Sequence, residues 1–211
     1  MVKEAYKFAI PPLVVGALCL IPGWKWAAGL LIFLGLFVFY FFRDPERVTP
    51  TAENLVICPA DGRLLPIVNV APPPELHLPE GTYTRLSIFM NVFNVHVNRI
   101  PCNGIVTTLA YRPGKFFNAS FDKASAENER MGIRLTTESG QEIGLVQIAG
   151  LVARRIVCNV REGQSVCRGV RFGIIRFGSR LDIYLPDGAR VLAKEGQTVV
   201  AGETVLADFP S

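Results

Sequence analysis

The chain has 211 residues, half of them hydrophobic, which predicts one domain of ordinary size plus a short appendage. Its formal net charge is +4, but no run of Lys and Arg is interleaved with aromatic residues, so the charge does not indicate a nucleic-acid partner. Most of the apolar excess precedes Arg43, and the remainder has the composition of an ordinary globular domain.

The N-terminal segment is almost uncharged, because Lys25 is the one charged residue between Phe8 and Phe42. A single straight helix of that length would measure about 50 Å at about 1.5 Å per residue, which exceeds a hydrocarbon core of about 30 Å. The stretch from Ile21 to Trp26 contains Pro and Gly and predicts a break. We therefore expect a hairpin of two apolar helices, about 6–21 and 26–42.

Residues 1–43 are predicted to form a membrane anchor, whose first helix is short, carries two prolines and either crosses the bilayer or only dips into it. Lys3, Lys7, Arg43 and Arg47 flank the apolar segment and favour an anionic membrane surface as partner. The five cysteines are widely spaced and form no C-x-x-C pair, which argues against a disulfide framework or a zinc site. We expect a cell (inner) membrane location, with the globular domain facing the cytoplasm.

Residues 44–211 begin with a polar, proline-containing linker and continue as short runs rich in Val, Ile, Thr and Phe. Turn residues separate these runs, which is typical of an all-β or mostly β domain. The predicted strands are 64–70, 83–89, 104–111, 133–137, 143–148, 155–160 and 181–185. Residues 124–131 are polar and predict a loop or a short helix.

One internal similarity indicates the architecture of this domain. The segment REGQSVCRG at 161–169 is echoed by KEGQTVVAG at 194–202. Each copy has a turn glycine, a β-branched strand and a second turn glycine. Such pairs predict a barrel-sandwich like that of biotinyl and lipoyl carrier domains, although neither copy has the hairpin-tip Lys that a carrier needs.

Six tracts occur together in the globular part, and the last of them contains Gly178-Ser179. They are PADG at 59–62, NVHVNRIP at 94–101, GKFFNAS at 114–120, DKASAENER at 122–130, QIAGLVARRI at 147–156 and RFGSR at 176–180. By itself Gly178-Ser179 would be an ordinary turn, and no G-x-S-x-G elbow surrounds it. Taken in order, the tracts resemble the short form of the phosphatidylserine decarboxylase family and the archaetidylserine decarboxylases.

The resemblance implies a self-cleaving enzyme whose pyruvoyl group derives from Ser179, with no metal and no pyridoxal phosphate. Cleavage between Gly178 and Ser179 would give a heterodimer of a large chain, 1–178, and a small chain, 179–211. The pyruvoyl ketone would form a Schiff base with the serine amine of phosphatidylserine and accept the electrons released as CO2 leaves. The product would be phosphatidylethanolamine.

The resemblance also implies roles for individual side chains. His96 is the expected base, and Asp61 is expected to orient it toward Ser179. Arg99 stands where longer family members carry a second histidine, so the division of labour between His96 and Arg99 stays open. Arg99 either holds the substrate carboxylate or phosphate or pairs with a structural acid. The other histidine, His77, lies in a proline-rich loop and is not expected to take part.

Two other functions remain as alternatives at this point. A membrane adaptor with a barrel-sandwich domain would explain the anchor and the repeated glycines, but not the joint presence of Asp61, His96 and Ser179. A membrane-bound serine peptidase would need a site acting on other chains. The sequence does not choose between ester and ether lipids, and association through exposed strand edges leaves homo-oligomers open.

Overall fold

The structure, a computed structural model, describes residues 5–117, 127–150, 155–176 and 178–210. It divides into two compact units, Met1–Glu46 and Arg47–Ser211. The first unit contains two helices, α1 (Ala5–Cys19) and α2 (Lys25–Phe41). The predicted order, an apolar helical hairpin followed by a mostly β domain, is confirmed.

Small residues allow the two helices to pack closely. A Cβ atom on Gly16 would lie 3.0 Å from Ile32, and one on Gly35 would overlap Leu13. The outer surface of the hairpin is apolar, and Trp26 is 94% exposed. Within the described part of the chain, neither helix combines the length and the apolar character needed to cross a membrane.

In its described residues the second unit contains fifteen short strands and one 3-10 helix, Pro74–Leu76. The strands are β1 (Leu55–Ile57), β2 (Gly62–Leu64), β3 (Val68–Val70), β4 (Tyr83–Met90), β5 (Val97–Arg99), β6 (Gly104–Arg112), β7 (Arg130–Thr137), β8 (Glu142–Ala149), β9 (Ile156–Cys158), β10 (Ser165–Val166), β11 (Arg171–Ile175), β12 (Ser179–Leu185), β13 (Arg190–Val191), β14 (Thr198–Val199) and β15 (Val205–Asp208).

In the described residues these strands form three sheets around a main apolar core, beside which lies a smaller apolar cluster that includes Tyr184. The large sheet has the order β10-β6-β7-β8-β12-β4-β2-β14, with β3 also paired to β4, and two three-stranded sheets have the orders β1-β15-β13 and β5-β11-β9. Leu86 from the large sheet, Leu206 from β15 and Phe172 from β11 all belong to that core. Strand β12 lies in the middle, because it is hydrogen-bonded to β4 on one side and to β8 on the other.

The two copies of the sequence repeat have the same local structure. Gly163 and Gly196 have φ values of 78° and 74°, and the copies end at Gly169 and Gly202 with φ values of 83° and 81°. The short strand in each copy then pairs with a different partner, β10 with β6 and β14 with β2. The repeat is therefore a structural duplication, as a barrel-sandwich requires.

Two predicted elements need correction. The run 64–70 is two strands, β2 and β3, because Pro66 has no N–H to donate and interrupts the ladder. Of the segment 124–131, the first three residues lie outside the described residues. Its last two already belong to strand β7, because apolar alternation from Met131 onward extends the β6–β7 hairpin.

Candidate active site

Ser179 is the first residue of the central strand β12, and its side chain is fully buried. Backbone pairing sets it between Met90, the last residue of β4, and Ala149, the last residue of β8. Gly178, directly before it, has φ of +68°, a left-handed conformation that costs other residues about 1–2 kcal/mol. The predicted cleavage pair therefore lies where an unusual backbone conformation meets a buried hydroxyl.

Buried polar side chains gather on the same side of the sheet as Ser179. The Ser179 hydroxyl and the Asn98 amide both donate to the sulfur of Met90, at 3.8 and 3.7 Å. Gln147 donates from Nε2 to Oδ1 of Asn98 at 2.8 Å, and both amide side chains are fully buried. Buried amides of this kind are costly unless their hydrogen bonds are made. The sequence analysis did not single out Asn98, Gln147 or Met90.

His96 is also fully buried and lies in the short loop between β4, which ends at Met90, and β5, which begins at Val97. Its Nδ1 atom is 3.0 Å from the carbonyl oxygen of Asn94. Because that oxygen only accepts, Nδ1 is the donor of this bond, and in the neutral form of the ring the lone pair is therefore on Nε2. A neutral imidazole with a lone pair on Nε2 has the form required of a general base.

Asp61 is held by two hydrogen bonds. Its Oδ2 atom accepts from Arg47 Nη2 at 2.8 Å, and its Oδ1 atom accepts from the backbone N–H of Ala201 at 2.8 Å. The side chains of Arg47 and Asp61 are only 14% and 12% exposed. Arg47, which the sequence analysis treated as a flanking cation, is thus the ionic partner of the predicted catalytic carboxylate.

The duplicated half of the domain shows which of these bonds needs a charge. Asn103, in the tract Pro101–Gly104, accepts from the backbone N–H of Arg168 at 2.9 Å, just as Asp61 does from Ala201 in the matching tract Pro59–Gly62. A neutral amide therefore performs the backbone cap in one copy. The charge of Asp61 is needed for the bond to Arg47 or for chemistry, and not for the turn itself.

Arg99 is nearly buried and is hydrogen-bonded to the backbone of neighbouring segments. Its Nη1 atom donates to the carbonyl of Gly169 at 3.0 Å, and its own N–H donates to the carbonyl of Pro59 at 2.9 Å. Its Cδ atom would be 2.8 Å from a Cβ on Gly202. Arg99 thus fills the space between the two glycine corners of the repeat.

The predicted residues converge on the end of strand β4. Ser179 pairs with Met90, and Asn98, two residues after His96, donates to the sulfur of Met90. Gly62, next to Asp61, approaches the Phe89 carbonyl so closely that a Cβ would clash with it. Asp61 is bonded to Arg47 and Ala201, and Nδ1 of His96 to Asn94, so an Asp61–His96–Ser179 relay stays a prediction.

Cys58 is the thiol nearest to Asp61 along the chain, and it is not suited to act as a nucleophile. Burial raises the pKa of its thiol to about 12, and the nearby charge of Asp61 acts in the same direction. At neutral pH the thiol is therefore protonated. In the ranges that the structure describes, no three His, Cys, Asp or Glu side chains are grouped as metal ligands.

Comparison with known proteins gives one consistent result. A family model described as phosphatidylserine decarboxylase matches residues 34–207. The chain is 54% identical over 204 residues to a phosphatidylserine decarboxylase proenzyme from Paramagnetospirillum magneticum, covering 97% of this chain and 83% of the relative. Proenzymes of the same name from Ruegeria pomeroyi and Rickettsia felis are 54% and 57% identical, over 88% and 81% of this chain and 85% and 74% of the relatives.

Proposed function

The chain belongs to the phosphatidylserine decarboxylase family, and from this membership we propose that it decarboxylates phosphatidylserine to phosphatidylethanolamine through a pyruvoyl group made from Ser179. The observation that carries the proposal is the pair Gly178-Ser179. A residue with φ of +68° directly precedes a fully buried serine at the start of a central strand. Glycine adopts this conformation without steric cost, so the pair joins a permissive backbone to a buried nucleophile.

Self-cleavage begins when the Ser179 hydroxyl adds to the Gly178 carbonyl carbon and the peptide C–N bond breaks, giving an ester. A base, for which His96 is the candidate, removes the α-proton of Ser179. The Cβ–Oγ bond then breaks, and Gly178 leaves as a carboxylate. One water molecule hydrolyses the remaining dehydroalanine to pyruvoyl and releases the Ser179 nitrogen as ammonia, so no oxidant is consumed.

The surroundings of Ser179 fit a pyruvoyl terminus better than an amino terminus. Simple hydrolysis would leave a charged ammonium at a residue that is buried between Met90 and Ala149. A buried charge without a partner costs several kcal/mol, whereas a pyruvoyl terminus is neutral. Met90, Asn98 and Gln147 would line this terminus.

Strand pairing would keep the two cleavage products together. Strand β12 of the small chain is bonded on both sides to β4 and β8 of the large chain, and β14 and β15 are bonded to β2 and β1. In the described residues the small chain therefore contributes strands to two of the three sheets. We propose a heterodimer of 1–178 and 179–211 that does not dissociate under native conditions.

A pyruvoyl carbonyl supplies the electron sink that decarboxylation of an amino acid head group requires. The protein contributes a desolvated position for it, the Nε2 lone pair of His96 for proton transfer, and Arg99 as a candidate for binding phosphate or carboxylate. The exposed apolar surface of the helical unit suits attachment to the membrane that holds the lipid. We place the enzyme at the cell membrane, with its decarboxylase unit toward the cytoplasm.

Replacing each of two buried serines tests this proposal. Ser179 and Ser87 are both buried on the adjacent strands β12 and β4. Ser179→Ala should run as one full-length chain on a denaturing gel and show no decarboxylase activity. Ser87→Ala should be cleaved like the parent. Normal cleavage of Ser179→Ala would exclude Ser179 as the source of the prosthetic group.

A further inference from the structure

Three exposed apolar side chains border the candidate active site: Val92 (37% exposed), Phe93 (61%) and Phe117 (43%). We call them the apolar rim. Single exposed apolar residues are ordinary on protein surfaces, so their position decides whether they have a function. The decisive question is how each of them is connected to Ser179.

Val92 and Phe93 lie at the tip of a turn that is fastened by its own asparagines. Asn91 N–H donates to Asn94 Oδ1 at 2.9 Å, Phe93 N–H donates to Asn91 Oδ1 at 2.8 Å, and Asn94 N–H donates to the Asn91 carbonyl at 3.0 Å. The turn starts directly after Met90, which pairs with Ser179, and its Asn94 carbonyl is bonded to His96. It is a stiff extension of the site.

Phe117 is fastened to the other side of Ser179. Its backbone N–H and carbonyl are bonded to the Asn128 side chain at 2.9 and 2.8 Å, and Asn128 also donates to the carbonyl of Ala149. Ala149 and Met90 flank Ser179 on adjacent strands, which places them about 10 Å apart. The rim therefore borders Ser179 from two sides, at the end of the large sheet where β4 and β8 finish and β12 begins.

Basic side chains accompany the rim. Lys115 lies 5.5 Å from the centre of the Phe117 ring and is paired with Glu127 at 3.1 Å, and Arg155 is exposed directly before β9. The Arg155 carbonyl is joined to the N–H of Arg176, three residues before Ser179. Aromatic rings next to Lys and Arg are typical of surfaces that rest on anionic lipid head groups.

We propose that the apolar rim is a membrane-contact surface that holds the strand ends around Ser179 against the bilayer containing the substrate. This inference rests on the proposed function, because a two-chain lipid keeps its acyl chains in the bilayer while its head group reaches Ser179. The strand ends around Ser179 must then face the lipid surface. Val92, Phe93 and Phe117 enter the head-group region, and the basic side chains contact phosphates.

Tryptophan fluorescence tests the contact without requiring catalysis. The test uses the Phe93→Trp variant in a Trp24→Phe/Trp26→Phe background. Phosphatidylcholine–phosphatidylserine vesicles should shift its fluorescence emission to the blue, and brominated acyl chains in those vesicles should quench it. Ile105→Trp is the matched control. Ile105 is 49% exposed, but it lies at the opposite end of the strands of the large sheet from Ser179. Equal quenching at both positions, or none at Phe93→Trp, would overturn the proposal.

Kinetics separates the contact from the chemistry. Val92→Ser/Phe93→Ser should lose about tenfold or more in kcat/KM on vesicles, because two apolar side chains no longer leave water. On monomeric short-chain phosphatidylserine it should stay within about twofold of the parent, as should Ile105→Ser on both substrates. An equal loss of kcat/KM on both substrates, or no loss on vesicles, would contradict the proposed membrane contact of the apolar rim. If the parent decarboxylates neither substrate while Phe93→Trp is still quenched, the proposed function fails and the rim stands.

Discussion

The variant Asp61→Asn distinguishes the contributions of the two hydrogen bonds that the Asp61 carboxylate accepts, from Arg47 and from the Ala201 N–H. The variant keeps an oxygen for the Ala201 N–H, as Asn103 does for Arg168, but it turns an N–H donor toward Arg47. A hydrogen bond to a charged group is worth about 1.5–3 kcal/mol, and the low exposure of this pair limits screening by water. We therefore expect the free energy of unfolding to fall by about 2–3 kcal/mol. Asp61→Ala, which also loses the cap, should cost about 1 kcal/mol more.

Urea unfolding followed by circular dichroism measures these losses, in a Ser179→Ala background that keeps the chain whole. Tryptophan fluorescence would not serve, because both tryptophans lie in the helical unit. Asn103→Ala is the matched control and should cost about 1 kcal/mol, the price of a neutral cap. A double-mutant cycle with Arg47→Met should recover most of the Asp61→Asn loss as coupling energy. Unchanged stability in Asp61→Asn, or coupling near zero, would refute an energetically important Arg47–Asp61 pair.

Three further outcomes follow from the site and the core. Gly178→Ala should slow self-cleavage about fivefold, because a φ of +68° costs alanine about 1 kcal/mol, although its methyl group would contact no other atom. A cleavage time course equal to the parent's would contradict this. His96→Ala should remain a full-length chain on a denaturing gel, and normal cleavage would remove His96 from the role of processing base. Iodoacetamide at mildly alkaline pH should label exposed Cys167 in the folded protein and spare Cys58 and Cys102, whose pKa burial raises to about 12. Peptide mass mapping would read this out, and equal labelling of all three would show that the core is open.

The sequence predicted those secondary-structure elements whose formation depends on residues close together in the chain. Runs rich in Val, Ile, Thr and Phe between turn residues located most strands of the large sheet, and Pro22-Gly23 located the turn between the two helices. The strand break at Pro66 was missed because apolar residues continue on both sides of it. The repeat at 161–169 and 194–202 was visible because most of its residues match. Its partner tracts, 59–62 and 101–104, share only Pro and Gly, and their equivalence appears only when hydrogen bonds are compared.

The candidate site was predictable only where a motif carried it. Ser179, His96 and Asp61 were named from tracts that resemble one family, and the fold brings those tracts to the end of β4. No sequence pattern links Arg47 to Asp61 or Gln147 to Asn98, because these pairs form through strands and turns far apart in the chain. The charge on Asp61 acquires a physical reason only in the folded protein, where Arg47 lies beside it and Asn103 performs the same cap without a charge.

Intact mass spectrometry of the purified, active protein tests the central claim most directly. We predict two chains, 1–178 with a free carboxylate and 179–211 lighter by one ammonia than the peptide that simple hydrolysis would release. Treatment with borohydride should raise the mass of the small chain by two hydrogens and abolish activity. A single unbroken chain in fully active protein, or a small chain with an ordinary serine at its start, would contradict the account.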